Sequence, residues 1–245
     1  MKKIQCGHIS DTHQENIADI LITDLKTESF GTLDLLFISG DLTYRGDISK
    51  LKACAEQCED LVKYGYVKDI ILTPGNHDKT FHKAKIINDK PSSWETPQKA
   101  REVFAGRQGV HLLIHQAIEL HGIKIFGSPW TPEFCNWAYN YYWYEAKTIW
   151  DKIPQDTQIL MTHGPPEFIL DEVHEYMKIK YCGCPELARQ IVIRPSIKYH
   201  LFGHIHEGHG KVEKDGVTYL NSSIMNGAYK PTNRPQYFEF NLKAT

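Results

Sequence analysis

Ile4-Gln5-Cys6-Gly7-His8-Ile9-Ser10-Asp11-Thr12-His13 is an apolar run that closes on polar, metal-ligating side chains, and the pattern recurs along the chain. Leu35-Leu36-Phe37-Ile38 leads to Gly40-Asp41, and Ile70-Ile71-Leu72 leads to Gly75-Asn76-His77-Asp78. Ile159-Leu160-Met161 leads to His163-Gly164, and Tyr199-His200-Leu201-Phe202 to Gly203-His204-Ile205-His206. Short apolar runs bounded by glycine and turn residues read as buried strands. Helical patterns separate the first three. One lies near 17–28, with Ile17, Ile20, Leu21 and Leu25 on one face. Another lies at about 49–64, with Ser49 as N-cap and Gly65 as the C-terminal stop. Strands alternating with helices predict an α/β fold with parallel pairing, in which ligands gather at the carboxyl ends of the strands.

Outward from these runs the pattern is coarser. A short helix is expected around 97–105, two strands meeting at His121-Gly122 over 110–127, a helix near 146–152 and another around 185–193. Asp215-Gly216 between Val212-Glu213-Lys214 and Val217-Thr218-Tyr219 marks a two-residue hairpin turn. A last strand is expected at 236–242. Residues 128–145 carry a dense run of aromatics, among them Trp130, Phe134, Trp137 and Tyr139. At 245 residues with no repeat, low-complexity tract or linker, 1–245 reads as one domain.

A formal net charge of -2 gives no electrostatic footprint for a nucleic-acid backbone. No apolar stretch approaches the ~20 residues that span a bilayer, so no membrane partner is expected. Met1-Lys2-Lys3 resembles the start of a signal peptide, but cleavage after the short run that follows would remove Asp11. The reading is a cytoplasmic protein. Cys54 and Cys58 fall on an apolar helical stripe, and Cys182-Gly183-Cys184 has no partner pair to complete a zinc site.

Asp11 and His13 lie two residues apart at a strand end and can bite one cation from the same side; His204 and His206 repeat the spacing. Two cations about 3.5–4 Å apart can clamp the attacking and leaving oxygens of a phosphoryl displacement and turn a bridging water into hydroxide near neutral pH. Such a pair needs a bridging anion, and Asp41 is the candidate. Mixed N and O donors suit borderline cations.

The ordered motifs resemble the calcineurin-like metallophosphoesterase superfamily. That resemblance implies a four-layer αββα sandwich of two mixed β-sheets. It also implies two divalent metal ions, with Mn the first expectation and Fe, Ni, Zn or Mg accepted by the same donors. By the same resemblance Asp11, His13, Asp41 and His206 would hold one metal, and Asp41, Asn76, His163 and His204 the other. His77 would be catalytic, protonating the leaving oxygen. Members of the superfamily often carry Gly-Asp-x-x-Asp-Arg-Gly, the second Asp orienting the catalytic histidine. This chain has Tyr44 there, which leaves another group, Asp78 being nearest in sequence, to orient His77. Arg45 is retained and is a candidate for contacting phosphoryl oxygens.

Ser128-Pro129-Trp130-Thr131-Pro132-Glu133-Phe134, His163-Gly164-Pro165-Pro166 and Phe202-Gly203-His204-Ile205-His206-Glu207-Gly208 are similar to the small metallophosphoesterase-domain-containing subgroup, the brain and fetal-brain 239-like proteins. The resemblance implies a hydrolase of small phosphodiesters such as cyclic nucleotides, working through metal-activated hydroxide. The partner is then a small-molecule phosphoester or nucleotide, with Trp130 and Phe134 as candidates for stacking it. A phosphomonoesterase, a nuclease, or a nucleotide-binding scaffold with a vestigial site are the rival readings. Oligomeric state is not legible.

Overall fold

The computed structural model describes residues 2–27, 31–83, 86–87, 90–175 and 178–242. In chain order its main elements begin with β1 (Lys2–Ile9), α1 (Ile17–Thr27), β2 (Leu33–Ser39), α2 (Ile48–Lys63), β3 (Val67–Thr73) and α3 (Pro97–Phe104). There follow β4 (Val110–Leu112), β5 (Gln116–Leu120), β6 (Ile123–Ser128), α4 (Ala146–Trp150), β7 (Ile159–Thr162), β8 (Glu172–Glu175) and β9 (Lys178–Tyr181). The chain ends with α5 (Pro185–Val192), β10 (Tyr199–Phe202), β11 (Gly210–Lys214), β12 (Val217–Asn221) and β13 (Gln236–Leu242).

One sheet has the strand order β13-β1-β2-β3-β4 and the other β11-β12-β10-β7-β6-β5. In each, four neighbouring strands run parallel: β1 to β4 in the first, and β12, β10, β7 and β6 in the second. Antiparallel strands close the edges, β13 on the first sheet and β5 and β11 on the second. Both sheets are therefore mixed.

Period-two alternation sorts side chains into layers. Cys6, Leu35, Phe37 and Ile71 of the first sheet pack against Ile125, Ile159, Met161 and Leu201 of the second. Their neighbours Leu36, Ile38, Ile70 and Leu72 point the other way, onto the apolar stripes of α1, α2 and α3. Leu160 and Phe202 likewise meet Trp150, Leu187 and Ile191 of α4 and α5. Helix, sheet, sheet and helix thus form four layers. A strand buried on both faces must be apolar without a break, which is why 35–38 reads as a continuous run. Truncating a member such as fully buried Leu35 to Ala costs ~2–5 kcal/mol.

Three expectations are corrected. The N-cap of α2 is Asp47 rather than Ser49, since the helix already starts at Ile48. Residues 110–127 hold three strands: β4 adds to the first sheet, and only β5 and β6 form the hairpin turning at His121-Gly122. The β8–β9 hairpin was not expected at all, because Glu172-Val173-His174-Glu175 shows no apolar alternation. Residue 28, the expected end of the first helix, lies outside the described residues. No helix of the described residues is long and apolar enough to cross a membrane.

Candidate metal centre

The carboxyl ends of β1, β2, β3, β7 and β10 converge along one edge of the sandwich, and each delivers one of the polar motifs. Asp11, Asp41 and His204 all adopt left-handed backbone, with φ of 52, 51 and 68°. A non-glycine residue there costs on the order of 1–2 kcal/mol. The surroundings fix the strain: Asp11 N donates to the Gly40 carbonyl at 3.0 Å and His13 N to the Asp41 carbonyl at 2.9 Å. Gly75 and Gly203 act differently, since neither has positive φ. A side chain on Gly75 would collide with Asp41 Oδ1, and one on Gly203 with Asp11 Oδ2. They leave room for carboxylates rather than turning the chain.

Asp41 is 2 % exposed and divides its two oxygens. Oδ1 accepts from His77 N at 2.8 Å and lies 3.4 Å from His163 Nε2, which is itself 2.8 Å from Asn76 Oδ1. Oδ2 faces His13 Nε2 at 3.7 Å and His77 Nε2 at 4.0 Å. On the other side, Asp11 Oδ1 lies 3.4 Å from His206 Nε2, while its carboxylate accepts from His204 N at 2.9 Å. His204 stands beside His163, ring centroids 4.9 Å apart.

The tautomers follow from backbone carbonyls. His163 Nδ1–H donates to Ser39 O at 2.8 Å and His206 Nδ1–H to Asn226 O at 3.2 Å, so each turns Nε2 towards a carboxylate. These donor atoms stand 3.4–3.7 Å apart, too far for good hydrogen bonds. They are close to the ~3.0–3.5 Å that metal bonds of ~2.1 Å impose between neighbouring ligands. His13 is more telling: it is 1 % exposed, and neither ring nitrogen has a hydrogen-bond partner. Asp11, His13 and His206 form one tight group, and Asp11, Asp41 and His163 form another. Paired divalent cations fit this donor set, with Asp41 between them. Of the seven ligands expected from the sequence, Asp11, His13, Asp41, His163 and His206 fall in these groups, while Asn76 Oδ1 lies 2.8 Å from His163 Nε2 and the His204 ring stands beside that of His163.

Charge and burial act as such a site requires. Burial opposes ionisation of Asp41, but the His163 and His13 imidazoles hold its carboxyl well below the usual range. Asp11 is held down likewise, against burial, by His206 and His163. Burial alone would lower His163, yet Asp41 and Asp11 raise it to about 9. Burial and the neighbouring His163 push His204 down to about 3. Metal binding needs these imidazoles neutral and so competes with protons.

His77 Nδ1–H donates to the Tyr44 backbone carbonyl at 3.0 Å. Its ring stacks on Trp137, centroids 4.1 Å apart at 27°, and meets His13 edge-on at 4.8 Å. Residue 44 thus orients His77 through its main chain, whatever its side chain. Asp78 does not: it accepts from Leu42 N, Thr43 N, Thr43 Oγ1 and Gly75 N at 2.8–3.0 Å and pins the two ligand loops together. Burial and nearby Asp41 push its carboxyl up to about 7.

A cleft of about 630 Å³ opens on Asp41, Asn76, His77, His204 and His206. Phe134, 55 % exposed, lines it, whereas Trp130 turns away, against His82 and Tyr139. Arg45 is exposed and does not line the cleft. Trp137, Tyr229 and the β8–β9 hairpin with Lys180 and Tyr181 are cleft residues that sequence reasoning did not choose. Tyr229 sits at φ 55° with its ring 4.7 Å from His206 and 5.2 Å from His13. Only Trp137 carried a signal, as a member of the aromatic run. His174 also lines the cleft.

Comparisons with known proteins agree with this geometry. The calcineurin-like phosphoesterase family profile matches residues 4–208. The human protein named metallophosphoesterase domain-containing protein 1 is 34% identical over 238 residues, 93% of this chain and 68% of its own length. A UPF0046 protein of Caenorhabditis elegans is 28% identical over 246 residues, 98% of this chain and 82% of its own. Among solved structures, the TT1561 protein of Thermus thermophilus superposes with a TM-score of 0.58 at 14% identity, covering 90% of this chain and 89% of that one. A Danio rerio protein described as a dimetal phosphatase superposes at 0.51 with 10% identity, covering 96% and 91%. At those identities the superpositions speak to fold alone. The profile match, spanning every proposed ligand from Asp11 to His206, shows that the chain belongs to the calcineurin-like phosphoesterase family and is a metal-dependent phosphoesterase.

Proposed function

We propose that the protein is a dinuclear phosphodiesterase acting on a small phosphodiester such as a cyclic nucleotide. The cleft carries this reading: it opens on the proposed ligands and is walled by Phe134, Trp137, Val173 and Tyr181, with Lys180 its one lysine among the described residues. A volume of about 630 Å³ suits a nucleotide-sized ligand. Aromatic faces stack bases. A single lysine matches a monoanionic diester better than a dianionic monoester or a polyanionic backbone.

Asp11, His13, Asp41 and His206 would hold one metal, and Asp41, Asn76, His163 and His204 the second, manganese being the first expectation. Bound divalent ions lower the pKa of a coordinated water and neutralise charge on phosphoryl oxygens. The rest falls to the protein. His77, clipped at Nδ1 by the Tyr44 carbonyl and stacked on Trp137, keeps Nε2 directed at the centre. As the imidazolium, it would deliver the Nε2 proton to the leaving oxygen and be left neutral with Nδ1–H still on the Tyr44 carbonyl. Phe134 and Tyr181 hold the organic part of the ester, and Lys180 the remaining negative charge. Six cysteines outside any disulfide fit a reducing, cytoplasmic setting.

The test is hydrolysis of bis(p-nitrophenyl) phosphate against p-nitrophenyl phosphate, with manganese added and a His204→Ala variant as control. Diester turnover that exceeds monoester turnover and disappears in the variant is expected. Preference for the monoester would make the protein a phosphomonoesterase. Turnover of neither ester by metal-loaded protein would replace catalysis with nucleotide binding.

A further inference from the structure

A second cavity, of about 450 Å³, lies on the other side of the aromatic segment from the metal cleft, and no residue lines both. Phe81, Trp130 and Tyr139 give it aromatic walls, and Ile114 and Ile149 add aliphatic surface. Two exposed cations face it from different elements, Arg101 on α3 and Lys152 just after α4. Among the described residues no carboxylate lines it and neither cation is ion-paired.

The third observation is Tyr139. It is only 3 % exposed, and its buried hydroxyl has no hydrogen-bond partner. Buried polar atoms without partners are uncommon enough to ask what satisfies them. The residue is fixed by its backbone, at φ 53°: its carbonyl accepts from Thr131 N at 3.0 Å, and its N–H donates to His82 Nδ1 at 3.1 Å. Its ring stacks on His82 at 4.8 Å and meets Trp130 edge-on at 5.6 Å. The charge of Arg101 reaches its hydroxyl and favours the ionised form, though burial outweighs it. Tyr139 and Arg101 both line the cavity.

We propose that this cavity is a second binding site, separate from the metal cleft, for a small planar anion: an aromatic ring bearing one carboxylate or phosphate. The ring packs against Trp130 and Phe81. The acid group lies between Arg101 and Lys152 and accepts the Tyr139 hydroxyl proton as a hydrogen bond. Aromatic walls alone would take a neutral ligand, and paired cations alone any anion; together with an unsatisfied donor they select a molecule with both features. The site touches the catalytic side through the chain itself. Ala138 N donates to the Asn76 carbonyl at 3.2 Å, and Trp137, two residues before Tyr139, stacks on His77.

1-Naphthoate is a suitable probe, because a carboxylate cannot be hydrolysed in the metal cleft. Isothermal titration of manganese-loaded protein should show one-to-one binding that survives in His204→Ala. It should weaken at least tenfold in the Arg101→Glu/Lys152→Glu double variant, whose exposed positions leave the core untouched. The single Lys152→Glu variant should fall between the two, which guards against misfolding of the double one. Absence of binding, binding unaffected by the charge reversals, or binding abolished by His204→Ala would each overturn the proposal. The last outcome would place the probe on the metals.

Discussion

The metal cleft has two banks built on opposite principles. The inner bank is the row of strand ends carrying Asp11, Asp41, Asn76, His163 and His204, all but one of them buried and each held by backbone hydrogen bonds or close packing. The outer bank comes from the 132–137 segment and the β8–β9 hairpin, and presents half-exposed rings such as Phe134 and Tyr181. Rigid strand ends can hold donor atoms within the tolerance that metal bonds demand, while loops tolerate change and set what the site accepts. The comparison separates chemistry from selectivity. Trp137 belongs to the outer segment yet stacks on the inner bank's His77, so it is where the separation is thinnest.

The largest effect should come from the inner bank's shared carboxylate. Asp41→Asn should empty the site of metal and lower diester turnover by roughly 1,000-fold or more, beyond the ~10–100-fold typical of residues behind the ligands. Metal content by elemental analysis beside turnover reads both. Full metal occupancy in that variant would remove Asp41 from its bridging place. His77→Ala should lower turnover by ~10²–10⁴ while metal stays bound. The loss should shrink for a p-nitrophenolate leaving group and grow for an alkoxide, which needs the proton more.

Trp137→Ala should cost roughly 10- to 100-fold, through a displaced His77 ring rather than weaker binding. If KM alone rose, Trp137 would be an ordinary outer-bank residue and the two banks would be independent. The smallest effect should come from a site on neither bank. Asp69 on β3 receives His111 Nε2 from its own sheet and His121 Nε2 from the turn of the second, each at 2.8 Å. Burial opposes ionisation there, but the two histidines hold the carboxyl below its ordinary value. A depressed carboxylate contributes stability that is present above its unfolded pKa, ~3.9, and is lost as pH falls through the folded value. Because the group is part-exposed, the contribution is at most ~1 kcal/mol. Urea unfolding at pH 6 and pH 3 should show Asp69→Asn losing this dependence with turnover unchanged.

The inner bank was largely legible in the sequence because each ligand follows its strand within a few residues, so order and spacing carry the geometry. The outer bank was not. Trp137 meets His77 across 60 positions, and nothing local distinguishes it from Trp130, which turns to the opposite cavity. Asp78 misled for the converse reason. It adjoins His77 in sequence, but its carboxylate collects four donors on the far side of the loop, and the Tyr44 carbonyl, invisible to any reading of side chains, takes the orienting place. The unexpected pairing of β8 with β9 joins polar strands outside either sheet, where no buried face imposes alternation.

The left-handed backbone at Asp11 and Asp41 bears on how such a site can decay. Glycine would relieve the strain and asparagine would accept it, but most other residues would raise its cost. Of these two only asparagine keeps the shape of the carboxylate while discarding its charge. A lineage that abandons hydrolysis can therefore lose the metals at either position by a single Asp→Asn exchange and retain an intact sandwich, whereas drift to bulky or β-branched residues erodes stability together with activity. Loss of function and loss of structure are separable at these positions along one chemical route.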